Sequence, residues 1–243
     1  MGDEHRVDAA SFAEALRRER GMKLKGGLYH LNQVLLAYNT NRIEGSQLTE
    51  EQTRYIYETR TVSGVARVDD VVETVNHFQM FDLMLENSDS PLTAGLIKEY
   101  HRLLKTGTSD AASDWFAVGD WKRVPNVVGG RDTAEPEKVA EAIGALLADY
   151  PAENEMTFED VCDFHHRFEA IHPFQDGNGR VGRLIMFGQC LANGLMPFIV
   201  LDAERFYYYR GLSEYEREPG YLRGTFRHFQ DVYHDIFKKY VAA

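Results

Sequence analysis

A chain of 243 residues with 44% hydrophobic content is long enough to bury one large core or two small ones. Its 27 Lys and Arg stand against 38 Asp and Glu, a net charge of -11, so the average surface repels nucleic acid and any bound phosphate needs a local basic site. No positively charged start leads into an apolar run, and no apolar stretch is long enough to span a bilayer, which points to a cytoplasmic protein with neither membrane nor direct nucleic-acid partners.

In chain order, apolar residues recur at helical spacings of three and four. They do so in Phe12 to Leu16, Leu28 to Leu36, Val68 to Leu85, Leu92 to Leu104, Val139 to Leu147, Phe158 to Phe168, Arg180 to Leu191 and Phe226 to Tyr240. Thr49 with Gln52 fits a capping box, Pro91-Leu92-Thr93 opens another helix, and Thr157 precedes Phe158-Glu159-Asp160. Polar connectors fall at Asn87 to Pro91, Thr106 to Asp114 and Ala152 to Glu155. The exception is Val118 to Thr133, where Trp121, Val124, Val127 and Val128 stand among Gly119, Pro125, Asn126, Gly129 and Gly130, which is hairpin chemistry. The fold class is therefore mainly α with one short β-hairpin, whose exposed edge can accept another extended chain. Cys162 and Cys190 lie in helix-like apolar patterns and read as buried free thiols.

The chemistry concentrates in Ile171 to Arg183. Gly177 cannot comfortably continue the helix that begins at Phe158, and Asn178 is a favourable N-cap for the next one. Gly177, Asn178 and Gly179 then leave backbone N–H groups free at a helix N-terminus, where the helix dipole favours an anion. Arg180 and Arg183 share one face of that helix, so both can reach the same phosphate chain with forked hydrogen bonds. Asp176 is an oxygen ligand beside the cradle, suited to a Mg²⁺ that bridges phosphates. His172, four residues earlier, can take a proton from an attacking hydroxyl. Phe174 reads as a core anchor for the loop, and His165 and His166 as packed histidines, since their spacing is not that of a zinc helix.

From His172 to Arg183 the chain resembles the Fic (Fic/Doc) family, matching without a gap the signature His-x-Phe-x-Asp/Glu-Gly-Asn-Gly-Arg-x-x-Arg. The resemblance implies a Fic-type helical bundle with a β-hairpin flap. It implies a protein adenylyltransferase that moves AMP from ATP to a Ser, Thr or Tyr hydroxyl of a target protein and releases pyrophosphate. By this carry-over His172 is the base, Asp176 holds Mg²⁺, Gly177 to Gly179 form the anion hole, and Arg180 and Arg183 bind the β- and γ-phosphates. The flap, with Val124, Asn126, Val127, Val128, Gly129 and Gly130, pairs with the target backbone. Tyr208 and Tyr209, in the aromatic run from Arg205 to Leu212, are candidates for the adenine pocket.

Upstream, Thr40-Asn41-Arg42-Ile43-Glu44-Gly45 fits the family's inhibitory pattern Ser/Thr-x-x-x-Glu-Gly/Asn, so the chain resembles the N-terminally inhibited class. Glu44 is then expected to pair with Arg183 and remove the arginine that would hold the γ-phosphate. The division implied is residues 1–60, a helical region carrying Thr40, Glu44 and Gly45, and residues 61–243, the catalytic core. Removal of AMP, with Glu44 positioning a water, is the runner-up. A nucleotide-responsive binding module without turnover is the reading from another class, and it leaves His172 without a purpose. Gly179 argues against the branch that phosphorylates with a Lys in the anion hole, while relatives that transfer UMP or phosphocholine stay open. Exposed-looking tyrosines make the chain itself, alone or in a homo-oligomer, a candidate acceptor.

Overall fold

The computed structural model describes residues 8–22, 24–151 and 155–241. Among these residues it has ten α-helices and one two-stranded antiparallel sheet. The helices are α1 (Ala9–Met22), α2 (Leu28–Ile43), α3 (Glu50–Thr59), α4 (Val68–Asn87), α5 (Ala94–Lys105), α6 (Val139–Asp149), α7 (Phe158–Ile171), α8 (Asn178–Ala192), α9 (Arg205–Glu214) and α10 (Gly220–Val241). Strands β1 (Val127–Val128) and β2 (Arg131–Asp132) lie between α5 and α6. No helix among the described residues is long and apolar enough to cross a membrane.

The helix starts follow local chemistry. Thr49 and Gln52 form the expected reciprocal capping box, as do Thr157 and Asp160. Thr93 Oγ1 accepts from Leu96 N–H at 3.1 Å, so α5 opens after Thr93 rather than at Leu92. Two helices outrun their apolar stripes. α2 continues through Thr40 to Ile43, and α10 starts at Gly220, because packing sustains turns beyond the apolar stripes. Of the connector expected at Ala152 to Glu155, Ala152, Glu153 and Asn154 lie outside the described residues, as do residues 1–7 of the N-terminal stretch.

Helix α8 is buried from Asn178 to Leu191 on nearly every side, which makes it the central element. It packs against α7, α4, α5, α2 and α1. One apolar core joins Phe12, Leu16, Leu28 and Leu36 of α1 and α2 to Phe81 of α4, Phe164 of α7, Phe187 of α8 and Phe229 of α10. The N-terminal helices therefore share their core with the rest of the chain. Cys162 and Cys190 are buried free thiols in that core, as expected.

The hairpin is shorter than the Val118 to Thr133 expected from sequence. Only Val127 pairs with Asp132 and Val128 with Arg131, around a turn in which Gly129 and Gly130 both take positive φ. Pro125 has no N–H for a ladder, and the residues before it are held by the loop after α7 instead of by a strand. Lys122 N–H donates to the Pro173 carbonyl at 2.9 Å, and on the other leg Ala134 N–H donates to the Ile171 carbonyl at 3.3 Å.

Candidate active site

Helix α7 stops at Ile171, and His172 takes a left-handed backbone, φ 52°, that a non-glycine residue adopts only where its surroundings force it. The forcing groups are identifiable. Phe174 is fully buried and stacks on His101 with centroids 4.0 Å apart, 5° from parallel. The Asn178 side chain closes the loop, accepting from Phe174 N–H at 2.8 Å and donating to the Phe174 carbonyl at 2.9 Å. Asn178 is therefore the first residue of α8 and not its N-cap. The cap position belongs to Gly177, whose φ of 84° suits glycine and whose missing Cβ would meet Leu104 at 3.0 Å.

His172 Nδ1 has no hydrogen-bond partner among the described residues. Burial holds this imidazole below the ordinary histidine range. The Glu169 carbonyl opposes that shift, and the Lys122 ammonium reinforces it. A neutral imidazole beside a helix N-terminus can accept a proton near pH 7. The backbone N–H groups of the first turn of α8 have no intrahelical acceptors and point to the space in front of the helix.

That space is partly filled by a carboxylate of the chain itself. Thr40 and Glu44 stand one turn apart at the end of α2 and both face Arg183, which is 3% exposed. Arg183 donates from Nε to Thr40 Oγ1 at 2.7 Å and from one terminal nitrogen to the Thr40 carbonyl at 3.1 Å and to Glu44 Oε1 at 2.6 Å. A Cβ at Gly179 would meet the Glu44 carboxylate and the Arg183 guanidinium, so a larger residue there would displace the pair that meets over the helix end. Gly45 follows with its N–H donating to the Arg42 carbonyl at 3.0 Å, which turns the chain away after Glu44. Burial works against the charge on Arg183, but the groups around it, Glu44 first and then Tyr208 and Glu169, together hold the guanidinium above its ordinary range.

The two arginines of the motif do not share a partner here. Arg180 is 3% exposed and pairs with Glu73 of α4 and, at 2.8 Å, with Asp176 Oδ2. Asp176 Oδ2 also accepts from Lys105 at 2.7 Å, and although burial opposes it, the Arg180 and Lys105 charges keep the carboxyl ionised well below the usual range. Asp176 Oδ1 takes neither cation, so this residue can lend one oxygen to a Mg²⁺ whose other ligands are phosphates and water. Among the described residues there is no group of three His, Cys, Asp or Glu that would form a closed metal cage.

Placement of the other candidates is uneven. Val124, Val127 and Val128 are exposed at 44, 62 and 46%, leaving an apolar edge beside the loop. Asn126 turns inward, donating to the Phe174 carbonyl at 3.2 Å and accepting from Lys122 Nζ at 2.8 Å. Tyr208 is 1% exposed, bonds His165 at 2.9 Å and lies under Arg183, 5.7 Å from ring centroid to guanidinium carbon. It supports the arginine from within the core, and only Tyr209, 45% exposed with its hydroxyl donating to the Ile43 carbonyl at 3.1 Å, keeps an open face. His166 stacks on Tyr215, so both histidines before the loop are packing residues, as expected.

Sequence reasoning passed over Glu73, His101, Lys105, Lys122, Glu169 and Gln175. The Gln175 side chain accepts from Val124 N–H at 3.3 Å and donates to the Val124 carbonyl at 3.1 Å, pairing with the flap as a strand would. Lys122 is 3% exposed, and burial pushes its ammonium down to about 8. Glu169 sits behind Arg183 with its carboxyl pushed up to about 8 by burial. A signal existed for some of these. His101 and Lys105 continue the spacing of Ile97 on the buried stripe of α5, and a lysine on an apolar stripe calls for a partner.

The sequence model of the Fic/DOC family matches residues 91–189, from just before α5 to near the end of α8. Over this stretch, which holds the His172 to Arg183 loop, the chain is similar to the Fic/DOC family. Similarity extends beyond the Fic domain to curated relatives named protein adenylyltransferase Fic. The one from Nematostella vectensis is 27% identical over 190 residues, 73% of this chain and 42% of its own length. The one from Drosophila grimshawi is 27% identical over 220 residues, 87% of this chain and 42% of its own. The chain thus spans well under half the length of these relatives. In fold it is similar to a Fic domain containing signaling protein from Bacteroides thetaiotaomicron, with a TM-score of 0.72 at 22% identity over 95% of this chain and 94% of that one. A Fic protein from C. elegans gives a TM-score of 0.70 at 22% identity over 96% and 70%.

Proposed function

We propose that the chain is a protein adenylyltransferase, held inactive by Glu44. The observation that carries the proposal is a half-buried His172, its Nδ1 without a hydrogen-bond partner among the described residues, set before the N-terminus of α8, with two buried arginines and one outward carboxylate oxygen around it. The names of the Fic relatives support the same activity. In this reading His172 takes the proton of a Ser, Thr or Tyr hydroxyl of a target protein. The hydroxyl oxygen bonds to the α-phosphorus of ATP, the bond to the bridging oxygen breaks, and pyrophosphate leaves. The first-turn N–H groups of α8, from Gly177 to Gly179, receive the phosphate charge, with Arg180 and Arg183 on the outer phosphates. Asp176 would hold Mg²⁺, which when bound neutralises phosphate charge. The flap, with Val124 and its apolar neighbours, would pair with the target backbone and present the hydroxyl.

Inhibition follows from competition. The Glu44 carboxylate occupies a terminal nitrogen of Arg183, while Thr40 takes its Nε, and fills the space over Gly179 that the terminal phosphate needs. In this arrangement residues 1–60 are the regulatory part and residues 61–243 the catalytic part of one core, the protein works in the cytoplasm, and its own exposed tyrosines, within one chain or a homo-oligomer, are acceptors alongside the target. The test compares α-labelled with γ-labelled ATP in a lysate containing the Glu44→Gly variant. Label entering protein from the α position alone supports AMP transfer, and label from the γ position would replace it with phosphorylation.

A further inference from the structure

Lys105 closes α5 with a side chain 2% exposed, a place where an ammonium persists only when paired. Its three N–H bonds reach three carboxylates: Glu73 Oε1 at 2.6 Å, Asp176 Oδ2 at 2.7 Å and Asp110 Oδ2 at 2.9 Å. Each donor is engaged, so none is left for a substrate phosphate in this arrangement. Arg180 completes a ring by pairing with Glu73 and with Asp176 Oδ2, so that Lys105, Glu73, Arg180 and Asp176 alternate in charge. Asp176 is thereby balanced from two sides and also oriented. Two cations hold Oδ2 and only Oδ1 of a side chain 45% exposed stays open. The backbone is fixed as well. Gly119 N–H donates to His101 Nδ1 at 3.0 Å, which leaves the ring proton on Nε2 to donate to the Asp176 carbonyl at 3.2 Å.

We infer that Lys105 is a positioning residue that makes divalent-cation binding at Asp176 conditional on nucleotide. The inference rests on the proposed role of Asp176 as the metal-binding carboxylate. Lys105 and Arg180 offset two of the three carboxylates around them, and a carboxylate held on one oxygen by both cations attracts a bare divalent cation weakly. The nucleotide phosphates supply the missing negative charge and the remaining oxygens, so the cation is held only when the nucleotide is present. Lys105 prevents the site from filling with metal alone and keeps Oδ1 in place once the pair arrives.

Mn²⁺ binding, followed by electron paramagnetic resonance of the free ion, tests this on the Glu44→Gly chain with and without an α,β-methylene analogue of ATP. The chain that keeps Lys105 is expected to hold Mn²⁺ at least tenfold more tightly with the analogue than without it. Lys105→Gln, close in shape and still able to hydrogen-bond Glu73, should tighten nucleotide-free binding at least tenfold, whereas Lys105→Arg should not. In turnover Lys105→Gln should lower kcat more than it raises KM for the target. Thermal melts establish that each variant folds, and Lys105→Met serves if the Gln variant does not. Equal Mn²⁺ affinity with and without the analogue, or nucleotide-free affinity unchanged by removing the Lys105 charge, would overturn the inference. Asp176→Asn separates the two levels. If analogue-dependent Mn²⁺ binding survives Asp176→Asn, the assignment of Asp176 itself fails, and if it is lost there while Lys105→Gln changes nothing, only the role of Lys105 fails.

Discussion

His172 shows how much one position depends on neighbours distant in sequence. Its imidazole is kept neutral first by burial, with the Lys122 ammonium acting the same way from under the flap. Activity that needs neutral His172 rises with pH through its depressed pKa, so the acid limb of kcat/KM should lie below the ordinary histidine value. Removing the nearby positive charge relaxes that depression, and Lys122→Met in the Glu44→Gly background should move the acid limb to higher pH. A limb that stays in place would remove Lys122 from the account. Asn178 carries a different load. Its side chain makes both hydrogen bonds that close the loop onto Phe174, so Asn178→Ala should cost roughly 2–3 kcal/mol in urea unfolding, with a loss of activity beyond what partial unfolding explains. At this scale the sequence placed His172, Asp176, the glycines and both arginines in one loop, because they are adjacent in the chain. It misassigned Asn178 as the cap, since an Asn before a helix is a good cap in isolation and only the packed loop shows its amide turned back to Phe174. Glu73, Lys105 and Lys122 come from other elements, and their meeting with the loop is set by packing that no local pattern contains.

At the scale of elements the decisive meeting is between the last turn of α2 and the first turn of α8. The apolar stripe of α2 ends at Leu36, yet the helix runs on to Ile43, which places Thr40 and Glu44 on one face against Arg183. Thr40 and Glu44 accept from Arg183 of α8, a tertiary contact that the local apolar pattern does not contain. Helix α7 adds a second carboxyl behind the same arginine. Glu169 is pushed up to about 8 by burial first, with Arg183 opposing and Glu44 adding to the rise. The folded chain therefore binds a proton there that the unfolded chain releases near 4.5, so this site favours folding at low pH and loses that contribution as pH climbs towards about 8. Glu169→Gln, neutral at every pH, should melt higher than the parent at pH 8, and the gap should shrink towards pH 5. A gap that is constant across that range would contradict the assignment. The hairpin is the element that sequence overextended. Its composition was right, but only two residue pairs form a ladder, because Pro125 and the anchoring of Lys122 and Val124 to the loop after α7 take the preceding backbone out of strand pairing.

For the molecule as a whole, the helices that carry Glu44 and those that carry His172 share one apolar core. Phe12, Leu16 and Leu28 are fully buried against residues of α4, α8 and α10, so the region that carries Glu44 cannot be removed cleanly. Each of these large side chains contributes on the order of 2–5 kcal/mol, against a typical total of about 5–15 kcal/mol. A chain of residues 61–243 should therefore fail to give a cooperative melt by circular dichroism and should not serve as an activated form. A stable, active fragment would show instead that the N-terminal helices are dispensable. The mainly α class was legible because helical periodicity runs through most of the chain, while the sharing of the core by α1 and α2 was not, since contacts between distant helices leave no periodic trace. The central claim, an AMP transferase blocked by Glu44 with His172 as its base, is tested most directly by intact-mass and label measurements with α-labelled ATP and Mg²⁺ on three chains. These are the wild type, Glu44→Gly, and Glu44→Gly combined with His172→Ala. The account predicts little label on the wild type, at least tenfold more with Glu44→Gly, and none in the double variant. Label that persists without His172, or its absence from Glu44→Gly in the presence of acceptor proteins, would contradict it.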